Sequence, residues 1–211
     1  MSKIALILGT GANIGKATAV KFRNAGYKVA TVSRTPDNTK SDNALHLTAD
    51  FADPTSIEPI FDQVQAYWGN APNVVIYNAA ATVKTADRAI EASITDFTRS
   101  LNVNTVSPYT AAGIAQSRDN TVTFIYTGNA LNTILAPSLT LLGVGKTASA
   151  KWITEAAKDE KLRPSKFYYA DQRRLDGSPC YTGLNGEAHA DLFLKLAEQK
   201  EQGEPIIIFR A

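Results

Sequence analysis

Residues 4–15 constrain the fold of this chain more than any other stretch. Ile4-Ala5-Leu6-Ile7-Leu8 is an unbroken apolar run, the pattern of a short strand buried on both faces of a parallel sheet. It passes directly into Gly9-Thr10-Gly11-Ala12-Asn13-Ile14-Gly15. Ile14, Ala17, Ala19, Val20 and Phe22 then recur at roughly helical spacing before Gly26. A strand, a glycine turn and a helix N-terminus, in that order, form a seat for a pyrophosphate. The glycines let the backbone come close, and the free N–H groups and dipole of the helix favour the negative charge.

The rest of the chain repeats the alternation. Strands are expected at 3–8, 28–32, 44–48, 73–77, 121–126, 165–169 and 205–209, and helices at 14–25, 55–67, 94–117, 145–159 and 186–201. Strands separated by helices imply right-handed crossovers, hence an α/β fold with a doubly wound, Rossmann-like parallel sheet of about seven strands and helices on both faces. With 211 residues the expectation is one domain, 1–211. The polar stretch Thr35–Asn43 reads as a linker between the second and third strands. A net charge of +2 argues for neither nucleic acid nor a membrane as partner, and no apolar stretch is long enough to span a bilayer. The single Cys180 excludes an internal disulfide and fits a reducing compartment, so a cytoplasmic protein is expected. His46, His189 and one cysteine make no metal set, and no Gly-x-Ser-x-Gly nucleophile turn is present.

Ligands of such sheets bind at the carboxyl ends of the strands. The second strand ends Val32-Ser33-Arg34. An acid at Ser33 would hold the ribose 2′-hydroxyl of NAD. Here it is absent, and the planar fork of Arg34 suits a 2′-phosphate, so NADP(H) is the expected cofactor.

Several motifs resemble the short-chain dehydrogenase/reductase family. The loop Leu8-Gly9-Thr10-Gly11-Ala12-Asn13-Ile14-Gly15 follows the family's glycine spacing, with Asn13 in place of the middle glycine. Asparagine tolerates positive φ, which would preserve the turn. Asp50-Phe51 matches the family's Asp-apolar pair at the adenine ring, although Asp50 also suits the cap of a helix near Pro54. Asn78-Ala79 match the turn beside the cofactor ribose, where Tyr77 and Ala80 depart from the family pattern. Asn102-Val103-Asn104 looks like the family segment whose second asparagine holds a relay water, and an anchoring role for Asn104 weighs equally. The helix from Lys146 onward follows the family's helix closely, making Lys146 the residue that grips the nicotinamide ribose. The resemblance therefore implies cofactor contacts from Gly9, Gly11, Asn13, Ile14, Gly15, Ser33, Arg34, Asp50, Phe51, Asn78, Ala79 and Lys146. It also implies a homodimer or homotetramer through helices 94–117 and 145–159, with Ala148, Ala150, Trp152 and Ile153 at the contact.

The departure that matters is Leu142, which stands where the family has its catalytic tyrosine, four residues before Lys146. Counting back from it, Asn129 takes the place of the catalytic serine, with Thr127 nearby. Lys146, Asn104, Asn129 and Thr127 remain as candidate catalytic groups for reduction of a small-molecule carbonyl. Leucine carries no proton to give. Three readings stay open: another donor, with Tyr126, Tyr169 and Tyr181 near strand ends; a cofactor-binding regulatory or interaction protein without chemistry; or a different, non-redox reaction. Residues 171–185, containing Arg173 and Arg174 as an expected surface pair, read as a substrate lid.

Overall fold

A computed structural model describes residues 3–85 and 88–211. Strand β1 (Ile4–Leu8) runs through the middle of the sheet with every residue buried. Its side chains alternate, with Ile4, Leu6 and Leu8 entering one core and Ala5 and Ile7 the other, as a pleated strand covered on both faces requires. The remaining strands are β2 (Lys28–Ser33), β3 (Lys40–Ser41), β4 (Ala44–Thr48), β5 (Val74–Tyr77), β6 (Thr123–Thr127), β7 (Lys166–Arg173) and β8 (Ile206–Arg210). Their order is β3-β4-β2-β1-β5-β6-β7-β8, parallel except for β3 at the edge. The order reverses between β1 and β5, which opens a crevice at their carboxyl ends.

Helices α2 (Ile57–Trp68), α4 (Ser107–Arg118) and α5 (Thr140–Lys158) cover one face, and α1 (Ile14–Asn24) and α6 (Gly186–Glu198) the other. The seven expected strands are present. The eighth, β3, falls inside the stretch read as a linker, because a two-residue polar strand leaves no alternation to detect. Among the described residues no helix joins β2 to β4.

The expected helix 94–117 is three pieces: α3 (Ile94–Leu101), a π-helical turn at Asn102–Val106, and α4. Pro108 has no N–H to give the carbonyl four residues back, which frees the Asn104 carbonyl. Tyr126 Oη and Ser149 Oγ donate to it instead, at 2.9 and 2.7 Å. Helix α5 presses against this turn through Gly145, where a Cβ would lie 2.6 Å from that of Asn104. It begins earlier than expected because Gly143 and Gly145, poor helix formers, obscure its first turn. The inward face of α5 carries Ala150 and Ile153, both in the core, so neither lies on the expected dimer surface. Strand β7 continues through Asp171-Gln172-Arg173, paired with β8, so the irregular segment after it starts only at residue 174.

Candidate active site

The glycine loop sits where the strand order reverses. Gly9 has φ +102, and a Cβ there would lie 2.7 Å from the Ala79 Cα, so both conformation and close approach demand glycine. Gly15 lies against Thr10 and the Gly9 carbonyl, with a Cβ 2.7 Å from the Thr10 Cα. At Gly11 a Cβ would meet nothing within 4 Å, so the loop faces open space there. No side chain caps the first turn of α1 and no acid occupies it; the Lys16 N–H donates to the Gly11 carbonyl at 3.0 Å, and the Ile14 and Gly15 N–H groups are left for an anion. Asn78 Nδ2 donates to the Gly9 carbonyl at 2.8 Å, and the Asn78 and Ala79 N–H groups both donate to the Leu8 carbonyl. The two strand ends are thereby locked together.

Asn13 does not have the positive φ expected of it. Its φ is −99, and among the described residues only glycines have positive φ. Its side chain reaches across the crevice, where Nδ2 donates to the Leu184 carbonyl at 2.7 Å. A Cβ at Gly186 would lie 2.5 Å from Asn13 Oδ1, so α6 also starts against this residue.

A cleft of about 550 Å³ runs from Gly9, Thr10 and Gly11 past Ser33, Arg34, Asp50, Phe51, Asn78 and Ala79. Ser33 Oγ donates to the Thr35 carbonyl at 2.8 Å, and His46 Nε2 lies 3.3 Å from the same hydroxyl. His46 thus supports the turn that presents Arg34, which is exposed at the cleft. Asp50 accepts from the Ala52 N–H at 3.0 Å and stands 3.9 Å from Arg99. The cap at Pro54 is supplied by Asp53, not Asp50. Phe51 is buried against Tyr77, with ring centroids 5.5 Å apart, and meets the cleft only at its edge.

A second pocket of about 580 Å³ continues from Gly11, Asn13 and Ile14 to Thr127, Asn129, Leu142, Lys146, Tyr181 and Leu184. Lys146 is 3% exposed. Its Nζ donates to the Thr127 carbonyl at 2.8 Å and lies 4.3 Å from the Tyr126 ring centre. Burial pushes its pKa down to about 7, with Asp171 pulling the other way. Thr127 Oγ1 is buried without a partner. Asn129 uses its Oδ1 to accept from the Leu131 N–H at 3.0 Å.

Other candidates are occupied elsewhere. Asn104 is fully buried, its Nδ2 donating to the Ala81 carbonyl at 2.9 Å and its Oδ1 accepting from the Ala81 N–H at 3.2 Å. With its own carbonyl taken by Tyr126 and Ser149, Asn104 pins the 78–85 loop and offers no site to a relay water. Tyr126 and Tyr169 are fully buried, and the Tyr169 hydroxyl donates to the Asn129 carbonyl at 2.7 Å. Tyr181 alone of the three tyrosines lines the pocket. Arg173 is not a surface residue. It forms a buried pair with Asp171 at 2.7 Å, and Asp171 Oδ1 has no partner among the described residues. Arg174 is exposed as expected. His189 is buried in α6, its Nδ1 2.8 Å from the Asn185 carbonyl.

The family model for short chain dehydrogenases matches residues 3–117 of this sequence. A curated relative, the short chain dehydrogenase/reductase dmxR12 of Cryptosporiopsis sp. (strain 8999), is 36% identical over 222 residues, covering 96% of this chain and 89% of the relative. The chain belongs to the short-chain dehydrogenase/reductase family. Solved structures share the fold at low identity. The structure of ElxO with NADP bound superposes with a TM-score of 0.85 at 18% identity, covering 100% of this chain and 98% of that one. An alcohol dehydrogenase from the archaeon Thermococcus sibiricus, complexed with 5-hydroxy-NADP, gives 0.82 at 17% identity, covering 99% and 96%. Among the described residues of this family member, no helix is long and apolar enough to cross a membrane.

Proposed function

We propose that this short-chain dehydrogenase/reductase is an NADP(H)-dependent oxidoreductase for the carbonyl or hydroxyl group of a small molecule, and that it works without the tyrosine four residues ahead of Lys146. The observation that carries the reading is the continuity of the crevice. The cleft from Arg34 to Gly11 joins the pocket of Lys146 and Thr127 through residues they share, Gly11, Asn78 and Ala80 among them.

The residues fit a nicotinamide dinucleotide. Gly11 leaves space where a side chain would stand, α1 has free N–H groups, and Lys146 and Thr127 keep unused hydrogen-bonding capacity. Gly9, Gly11, Asn13, Ile14 and Gly15 would hold the pyrophosphate, Ser33 and Arg34 the 2′-phosphate, Asp50 and Phe51 the adenine, and Asn78, Ala79 and Lys146 the nicotinamide ribose. Bound there, the reduced cofactor supplies hydride. The neighbouring relatives solved with NADP or a derivative support the choice of NADP(H). Thr127 and the free amide of Asn129 would orient a substrate oxygen, and the segment from 174 to 185 would close over it. A small-molecule substrate and a cytoplasmic setting complete the reading.

Calorimetric titration of NADPH and NADH into the protein and its Arg34→Ala variant tests it. The wild type should prefer NADPH, and the variant should lose about 1.5–3 kcal/mol of NADPH binding, the worth of a hydrogen bond to a charged group, with NADH little changed. Equal weakening of both nucleotides would remove Arg34 from the 2′-phosphate site.

Pairing of two copies through α4 and α5 is part of the same reading. Tyr109 is 62% exposed and packs edge-on to Trp152, beside a largely apolar cleft of about 490 Å³. Tyr109→Asp should shift the sedimentation equilibrium toward monomer. A wild type that sediments as a monomer would sink the pairing.

A further inference from the structure

The pocket holds a proton donor that needs no tyrosine. We propose that Lys146 itself is the general acid, its ammonium giving a proton to the substrate oxygen. The proposal rests on the NADP(H) reading above and deepens it.

The geometry carries it. Lys146 is almost wholly enclosed, yet it lines the 580 Å³ pocket beside Thr127, Asn129 and Tyr181. Among the described residues its Nζ has one acceptor, the Thr127 carbonyl, and no carboxylate within ion-pair range. An ammonium carries three N–H groups, so two remain for a ligand. One turn before it on α5, Leu142 lines the same pocket and is buried. No titratable group of that helix therefore stands between the lysine and the pocket. Thr127 lines the same pocket, and its hydroxyl is buried with no partner among the described residues.

Groups facing Lys146 from the packed elements explain why it can act near neutrality. Tyr126 of β6 lies under it as a neutral ring, its hydroxyl engaged with Asn104 and its pKa raised by burial. From β7, Asp171 favours the charged lysine while itself pairing with Arg173 at 2.7 Å. Tyr169 of β7 is raised by burial and neutral. In the pocket wall, His189 of α6 has a pKa lowered by burial, Tyr181 has one raised by burial, and Cys180 donates to the Thr182 carbonyl. Lys84 at the rim adds one like charge. Desolvation thus outweighs attraction, and the amine sits near pH 7, where a general acid balances protonation against willingness to give the proton up.

The step balances. The substrate carbonyl carbon takes a hydride from the reduced nicotinamide cofactor, and its C=O π pair moves to oxygen. That oxygen takes a proton from Lys146 Nζ, whose N–H pair stays on nitrogen as a neutral amine. Solvent entering the open crevice returns the proton.

The test combines two readouts. In cofactor-free protein carrying ¹³Cε lysine, the resonance lost in Lys146→Arg identifies Lys146, and its titration midpoint should fall near pH 7. Alongside, NADPH consumption with 9,10-phenanthrenequinone as carbonyl probe is followed against pH, and NADPH binding is measured by calorimetry. Turnover should fall about tenfold per pH unit above the same midpoint. Lys146→Arg keeps the charge but cannot release a proton. It should lower kcat by about 10²–10⁴-fold while NADPH affinity changes far less. The midpoint should persist in Tyr181→Phe, whatever that variant does to KM. A Lys146 midpoint in the ordinary lysine range, a flat profile through neutrality, an active Lys146→Arg, or loss of the profile in Tyr181→Phe would each overturn the proposal. NADPH bound but never consumed would overturn it and leave the binding reading standing. Failure to bind NADPH would sink the binding reading first.

Discussion

Lys146 shows what burial does to a single charge. In the unfolded chain its pKa is 10.5, and in the folded protein it falls to about 7. Between those values the unfolded chain binds more protons than the folded one, so stability rises with pH across that window. Below about pH 7 both states are protonated and the full cost of burying the charge is present. Lys146→Met removes the group and with it the rise. Thermal melts of the two proteins should therefore diverge, the wild type gaining on the variant by up to about 1.4 kcal/mol per pH unit above neutrality. Parallel curves would mean that Lys146 is charged in the folded state throughout. The residue scale also shows what a sequence displays and what it hides. Gly9 was legible because its neighbours announce a strand-to-helix turn. Asn13 reads as part of the same loop, but its contact with Leu184 does not, because that partner lies 171 residues away and no local pattern points to it.

At the scale of elements, periodicity located the strands and helices to within a few residues but passed over the break inside residues 94–117. A π turn inserts without interrupting helical hydrogen bonding, so apolar spacing drifts and does not stop. Pro108 was the available signal, since it leaves the Asn104 carbonyl without an intrahelical donor. Three elements meet at that point: β6 through Tyr126, α5 through Ser149 and Gly145, and the 78–85 loop through the Asn104 amide. Asn104→Ala removes only the last of these. It should cost about 1–3 kcal/mol by chemical denaturation, the penalty for unpaired buried polar groups. Amide exchange should accelerate at Ala81 while β6 stays protected. Unchanged exchange at Ala81 would show that the loop is held by Asn78 and Ala79 at its start, without help from Asn104. The end of β7 was missed for a different reason. Asp171, Gln172 and Arg173 are polar, and polar residues read as loop unless a buried ion pair is foreseen.

The whole molecule couples its two ends through the crevice. The glycine loop belongs to the first residues of the chain, and the segment 174–185 that walls the pocket belongs to the last third. Asn13 joins them by donating to Leu184, Gln172 Oε1 accepts from the Asn185 N–H at 2.9 Å, and α6 then packs along α1. A ligand that orders the glycine loop should therefore also order the segment. Asn13→Ala removes the amide at a position whose φ is negative, −99. Because a net hydrogen bond is worth about 0.5–1.5 kcal/mol, opening of residues 177–185 should become roughly two- to tenfold more frequent. Hydrogen exchange with and without NADPH measures this directly. In the wild type NADPH should slow exchange in that segment, and in Asn13→Ala most of that added protection should vanish while NADPH still binds. If the variant keeps the full protection, the coupling runs through Gln172 and the α1–α6 packing, and the Asn13 contact is a passive neighbour of that segment.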